Sequence, residues 1–315
     1  MPFPHHSHSG EFCLSHAQNT LEQVIQTAVE QGMEVFCLSE HMPRSEDELY
    51  EEEVQAGVTP ASLVSNEARY FRTAVQLREK YASQIKILVG FESEWIQSSI
   101  SRGLISDSLS RYPFEFFIGS VHHLHGIPID WNRALYSKAR DVSGGTDERS
   151  FEDYFDLHYE MLQSLKPPII GHFDLIRLYC DDPNLSSGGL QKWAGVWQRV
   201  KRNLKYILNY GGLLELNSAA LRKGLETPYP AAEICQEFLS MDGRFCLSDD
   251  SHGVAQVGAK YHEMFKYVQE QGIQNLYFLE LAPVGMTGGL DPRFPRTLVK
   301  CRSLAEVKEM AFWKQ

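Results

Sequence analysis

The feature that most constrains this chain is an alternation. Short apolar or β-branched runs recur at 34–39 (EVFCLS), 85–91 (IKILVGF), 114–121 (FEFFIGSV), 168–171 (PIIG), 212–216 (GLLEL), 244–248 (RFCLS) and 276–281 (LYFLEL). Each reads as a buried strand. Stretches of helical period lie between them. Leu21, Val24, Ile25, Ala28 and Val29 fall on one face, with Thr20 and Gln23 predicting a capping box and Gly32 a stop. Trp193, Val196, Trp197, Val200, Leu204, Ile207 and Leu208 form a second stripe, and a further helix is expected from about Val254 to Gln271. The segment around Phe3–His8 supplies one more strand. Such a pattern predicts an α/β fold on a parallel sheet, closed as a barrel or open and doubly wound. In a barrel, functional side chains sit at or just after the C-terminal ends of the strands.

Composition narrows the classes. The 315 residues are 43% hydrophobic, enough for one large domain or two small ones. The formal charge of −11 disfavours nucleic acid as a partner. An acidic protein that handles a phosphate ester needs a local positive charge, and bound metal ions are one source. No run of about 18 apolar residues is present, so no membrane-spanning helix is expected. The opening MPFPHHSHSGEF has neither a basic nor an apolar leader segment, and the six cysteines are scattered without a CxxC pair. Both features predict a cytoplasmic protein with reduced thiols. Three loops, 42–62, 141–149 and 181–190, are acidic or turn-rich and are candidates to cover a site.

The metal-type residues follow the strand ends. His6 and His8 lie two apart, so on a strand both imidazoles point one way. EVFCLS is followed by Glu40 and His41, IKILVGF by Glu92, FEFFIGSV by His122, PIIG by His172, and RFCLS by Asp249, Asp250 and His252. Five further strands thus end in groups that ligate zinc, iron or manganese, and their number points to more than one ion.

These pieces, HSHS, SEH at 39–41, GFE at 90–92, GSVHH at 119–123, GHFDLIR at 171–177 and SDDSH at 248–252, together resemble the PHP (polymerase and histidinol phosphatase) superfamily, and its histidinol-phosphatase branch in particular. Pro4 departs from it, standing where many members carry an acidic residue. The resemblance implies a distorted (β/α)7, TIM-like barrel over 1–315 as a single domain, with two or three divalent metal ions (zinc, iron or manganese). It implies that His6, His8, Glu92 and Asp250 hold one ion, that Glu92 bridges to a second held by His122 and His172, and that His16, His41 and His252 hold a third.

The implied activity is hydrolysis of L-histidinol phosphate to L-histidinol and phosphate, in histidine biosynthesis, by a hydroxide bridging two cations. Asp250 and His252 are the expected catalytic residues, Asp250 accepting a proton from the water. Arg177, Arg222, Asn217 and Arg44 are the candidate substrate contacts, the arginines for the phosphate. Asp130 and the acidic stretch 46–53 are candidates for the substrate amine and imidazole. Two alternatives stand beside this reading: another PHP phosphoesterase (a nucleotide phosphatase or phosphodiesterase), and a non-catalytic metal-binding module on the same fold.

Overall fold

The computed structural model describes residues 3–13, 16–283, 285–286, 289 and 291–314. Seven strands run parallel around one axis: β1 (Ser7–His8), β2 (Val35–Leu38), β3 (Lys86–Glu94), β4 (Phe116–Ser120), β5 (Ile169–Ile170), β6 (Leu213–Asn217) and β7 (Phe245–Ser248). β2 to β7 pair in chain order, every neighbour parallel. Parallel neighbours need crossover connections, which the intervening helices supply.

The N-terminal segment closes the ring. Pro4 bridges Leu247, and the His5 N–H donates to the Leu247 carbonyl at 3.1 Å. On its other side, the N–H groups of Cys37 and Ser39 donate to the carbonyls of Pro4 and Ser7 at 3.1 and 3.2 Å. Ser7 and His8 then pair in parallel with Ser251 and His252, just past β7. The expected distorted seven-strand barrel is therefore what the chain forms. Its distortion comes from staves as short as the two residues of β1 and β5, which leave gaps in the ladder.

The helices follow the apolar stripes. The Leu21–Glu30 helix carries the Thr20–Gln23 capping box and buries Leu21, Val24, Ile25 and Ala28. The Ala194–Tyr210 helix buries Val196, Val200, Leu204 and Ile207 and ends at Gly211 with φ 82°. Each such fully buried aliphatic side chain contributes about 1.5–3 kcal/mol.

Two expectations need correction. The helix foreseen from Val254 occupies only Tyr261–Glu270. Ahead of it, Val254–Gln256 is a 3-10 turn, and Gly258 and Lys260 are left-handed, with φ 67° and 64°. Asp249 captures the Gly258 N–H at 2.7 Å, so this backbone folds back on the strand end instead of coiling. The run at 276–281 lies outside the barrel: Asn275–Leu281 pairs antiparallel with Thr297–Ser303. It packs over the barrel's N-terminal segment, with Phe278 stacked on Phe3 and the Leu279 N–H donating to His5 Nε2 at 3.1 Å. That bond makes His5 structural.

The strand ends crowd together at one mouth. Gly171 shows how tightly: a Cβ there would meet Ser120 Oγ at 2.6 Å and Ile118 Cγ2 at 2.9 Å. Only glycine lets β5 approach β4 and deliver His172 to the centre.

Candidate metal centre

Glu92 is the hub. It is 1% exposed, and its two carboxylate oxygens face different histidines. Oε2 lies 3.2 Å from His6 Nε2, 3.5 Å from His8 Nε2 and 3.1 Å from His41 Nδ1. Oε1 lies 3.1 Å from His172 Nε2 and 3.3 Å from His122 Nε2. The Asp250 Oδ1 atom completes the first side, 3.7 and 3.5 Å from the Nε2 atoms of His6 and His8. His6 and His8 reach one face because they are two apart on β1. His41 is placed by a parallel bridge to Glu92 itself.

A second layer of carboxylates stands behind the imidazoles. Glu215 Oε1 is 2.9 Å from His6 Nδ1, and its Oε2 accepts the His172 N–H at 2.7 Å. Glu94 Oε2 is 3.0 Å from His122 Nδ1, with Oε1 3.2 Å from His41 Nδ1. A carboxylate on one ring nitrogen orients the imidazole and raises the basicity of the other, the usual arrangement behind a metal-bound histidine. Neither residue was singled out from the sequence. Glu94 was within reach, since it follows Glu92 by two on β3 just as His8 follows His6. Glu215 shows only as one acid inside an apolar run.

The third group lies further out. His16 Nε2 is 3.4 Å from His41 Nε2, and His252 joins them through a ring-centroid separation of 5.2 Å from His16. His252 Nδ1 is 3.0 Å from the Asp250 carbonyl, which assigns the proton to Nδ1 and leaves Nε2 bare. All nine expected ligands thus converge on one mouth.

Electrostatics support cation binding. Burial opposes ionisation of Glu92, but the facing charges of His6, His122 and His41 hold it well below the usual carboxylate range. Asp250 is held low against burial in the same way, by His6, His8 and His252. Burial pushes His8, His16 and His252 down to about 3, with neighbouring histidines adding to the effect. These imidazoles are neutral and their lone pairs available. The buried nitrogens His6 Nε2, His8 Nε2 and His41 Nδ1 have no hydrogen-bond partner. Each such atom costs about 1–3 kcal/mol unless something satisfies it. Three in one place, facing shared carboxylates, fit divalent cations.

A cavity of about 360 Å³ opens above the centre, with Glu92, His122, His172 and Asp250 on its floor. Arg222 and Lys223 are the cations on its wall, and Asp130, Tyr50 and Trp131 stand at its side. Tyr50 and Trp131 stack at 5.2 Å. Tyr50 is the one residue of the acidic stretch 46–53 that reaches this cavity.

Three of the four expected substrate contacts are placed elsewhere. Arg177 is fully buried: Nε donates to Asp174 at 2.9 Å, Nη1 to the Pro183 carbonyl, and Nη2 to the carbonyls of Thr227 and Pro228. It ties loops together beneath the mouth. Arg44 is also buried, donating to Glu53 at 2.6 Å and to the Glu48 carbonyl, so it anchors the 46–53 stretch. Asn217 is buried with its amide shared between Glu215 and Asp250, a positioning contact. Sequence proximity to a strand end does not reveal whether an arginine points to solvent or back into carbonyls. Arg222 keeps its place, bonded to the carbonyls of Asp249 and Asp250 and to Gln256 while lining the cavity.

Known proteins resemble this chain in sequence and in fold. The PHP domain family profile matches residues 4–219. A protein of Schizosaccharomyces pombe named "Probable histidinol-phosphatase" is 41% identical over 286 residues, 90% of this chain and 92% of that one. The histidinol-phosphatase of Saccharomyces cerevisiae is 33% identical over 294 residues, covering 84% and 87%. Among solved structures, histidinol phosphate phosphatase from Lactococcus lactis, complexed with zinc, L-histidinol and phosphate, superposes with a TM-score of 0.63. It is 20% identical and the match covers 87% of this chain and 95% of that one.

Proposed function

The chain belongs to the PHP-domain family, and from that premise we propose that it is a metal-dependent phosphomonoesterase hydrolysing L-histidinol phosphate to L-histidinol and phosphate. One observation carries the reading: the buried Glu92 carboxylate turns each oxygen toward a separate set of histidines at the mouth of the barrel. Two or three divalent cations would be held there. His6, His8, Glu92 and Asp250 form one set, Glu92, His122 and His172 a second, and His16, His41 and His252 a third. Bound cations supply Lewis acidity, which acidifies a water and neutralises phosphate oxygens.

The chain's own groups do the rest. Asp250, held ionised and pinned by Asn217, accepts a proton from the attacking water. His252 is the second catalytic group, its Nε2 kept bare by the bond from Nδ1. Arg222 uses three of its five N–H groups on the protein, which leaves two for a phosphate oxygen, and Lys223 stands beside it. Asp130 pairs with the substrate ammonium, and the Tyr50–Trp131 stack receives the imidazole. No serine, threonine or cysteine lines the cavity among the described residues. With water acidified by a cation as the nucleophile, no phosphoenzyme is required: water would attack phosphorus, the phosphorus–oxygen bond to histidinol would break, and histidinol would leave as the alcohol once its alkoxide oxygen takes up a proton.

Residues 1–315 act as one unit, since a shared core runs from Phe3 to Met310. The buried free thiols fit a cytoplasmic, reducing compartment, and the charge of −11 fits a small substrate in place of nucleic acid. The test is a panel of phosphate esters assayed after chelation and reloading with zinc, manganese or iron. Histidinol phosphate leads nucleoside monophosphates and diesters in kcat/KM by on the order of 100-fold or more. A flat panel, or full activity in the chelated protein, defeats the reading.

A further inference from the structure

Cys13 lies outside every ligand set above, yet the fold places it at the outer one. Its Sγ is 3.1 Å from His16 Nε2, which is itself 3.4 Å from His41 Nε2. One ligand atom from each of Cys13, His16, His41 and His252 falls within 4.8 Å of the others. A tetrahedral zinc site, with bonds of about 2.0–2.1 Å to nitrogen and 2.3 Å to sulfur, spaces its nitrogens by about 3.4 Å and nitrogen from sulfur by about 3.6 Å. The Cys13–His16 and His16–His41 separations stand near that scale, and the remaining pairs lie within 4.8 Å.

The thiol is held there by the turn that follows β1. The Cys13 N–H donates to the Ser9 carbonyl at 2.8 Å, and its own carbonyl accepts from Ala17 at 3.2 Å. Asn66 clamps the preceding Phe12 carbonyl at 2.7 Å. Among the described residues, Cys13 is the one cysteine that joins a metal-competent group; Cys37, Cys180, Cys235 and Cys246 are buried in the apolar core. The cluster also sits between two cavities. One, of about 360 Å³, meets His16, His41 and His252; the other, of about 540 Å³, meets Cys13, His16 and His41.

We propose that Cys13 is a thiolate ligand of the outermost cation, completing with His16, His41 and His252 a three-nitrogen, one-sulfur set. The inference rests on the reading that these imidazoles hold a cation. As the sulfur–metal bond forms, the thiol proton passes to solvent. A thiolate biases this position toward zinc, cobalt or iron(II) and against magnesium or manganese. The two inner sets, made only of nitrogen and oxygen, lack the added bias of a thiolate and accept manganese more readily.

The experiment loads the full-length protein with cobalt(II) and compares it with Cys13→Ser and with Cys301→Ser, which removes the exposed thiol. The expected result is a near-ultraviolet thiolate-to-cobalt charge-transfer band in the wild type and in Cys301→Ser. Cys13→Ser lacks the band and holds its outer cobalt on the order of tenfold or more weakly. Cobalt bound in full with the same spectrum in Cys13→Ser overturns the role of Cys13 and leaves the imidazole site standing. Failure of the wild type to take up cobalt overturns both. X-ray absorption of the zinc-loaded wild type gives an answer independent of any variant's folding. A sulfur scatterer at about 2.3 Å supports the proposal, and a shell of nitrogen and oxygen alone defeats it.

Discussion

The inner and outer parts of the centre both rely on histidine, but only the inner sets include carboxylates, Glu92 and Asp250. His6 and His122 are buried against Glu215 and Glu94, and both face Glu92. Those carboxylates raise both imidazoles well above their ordinary pKa, overcoming a burial effect that alone would lower them. His16 and His252 are only part-buried and are driven down to about 3 by burial and by their histidine neighbours. The inner ring is thus a negatively charged, pre-oriented socket that a dication neutralises. In the outer set His16 and His252 are neutral imidazoles at the rim of a cavity, so a cation there would be held less firmly and exchange first.

The largest expected effect tests the hub. Glu92→Gln removes the charge shared by both inner sets, and kcat falls by on the order of 10³-fold. Metal analysis should show inner cations lost together. Loss of only the outermost cation, with kcat intact, would invert the comparison.

Next come the backing carboxylates. Glu94→Gln and Glu215→Gln keep shape and remove charge, and each lowers metal affinity or activity by about 10–100-fold. The same measurement on His16→Gln should show one cation lost at modest cost to the inner pair. Equal losses from all three variants would erase the distinction between the two parts.

The pH response sharpens the contrast without any chemistry. For His8, His16 and His252 the folded value of about 3 lies below the unfolded 6.5. The unfolded chain binds more protons between those limits, so the stability these groups contribute is complete above about pH 6.5 and is lost as pH falls toward 3. His6 and His122 are raised, so their contribution is present below 6.5 and fades as pH rises through the raised values. Denaturant midpoints of the metal-free protein should drop from pH 7 to pH 4, and drop less in a His16→Gln, His252→Gln double variant. An unchanged slope would show that the outer imidazoles are not held neutral.

The smallest effect is the control. Lys266 is exposed, with an i,i+4 contact to Glu270, and Lys266→Ala should leave kcat unchanged and stability within about 0.5 kcal/mol.

Much of this was legible along the chain because periodicity and order are local properties. The capping box at Thr20, the stripe through Val196 and Ile207, and the histidine or acid at the end of most barrel strands all follow from spacings of two to four residues. The run at 276–281 was misread as a further parallel strand because its partner, Thr297–Ser303, is a mixed sequence with little apolar character. A short apolar run does not encode the direction of its neighbour. Arg177 was misplaced for a related reason. Nothing near it in sequence announces that the carbonyls of Thr227 and Pro228, fifty residues on, will saturate its guanidinium.

By itself the sequence determined which elements form, in what order, and which chemical groups each strand delivers to its C-terminal end. Tertiary structure alone decided that Glu92 divides its oxygens between two histidine sets, that Glu94 and Glu215 stand behind them, and that Cys13 meets His16 and His41. The physical reason is range. Helix and strand preferences act over a turn or a pleat, while hydrogen bonding, desolvation and charge act through space between residues that only the closed barrel brings within 4 Å.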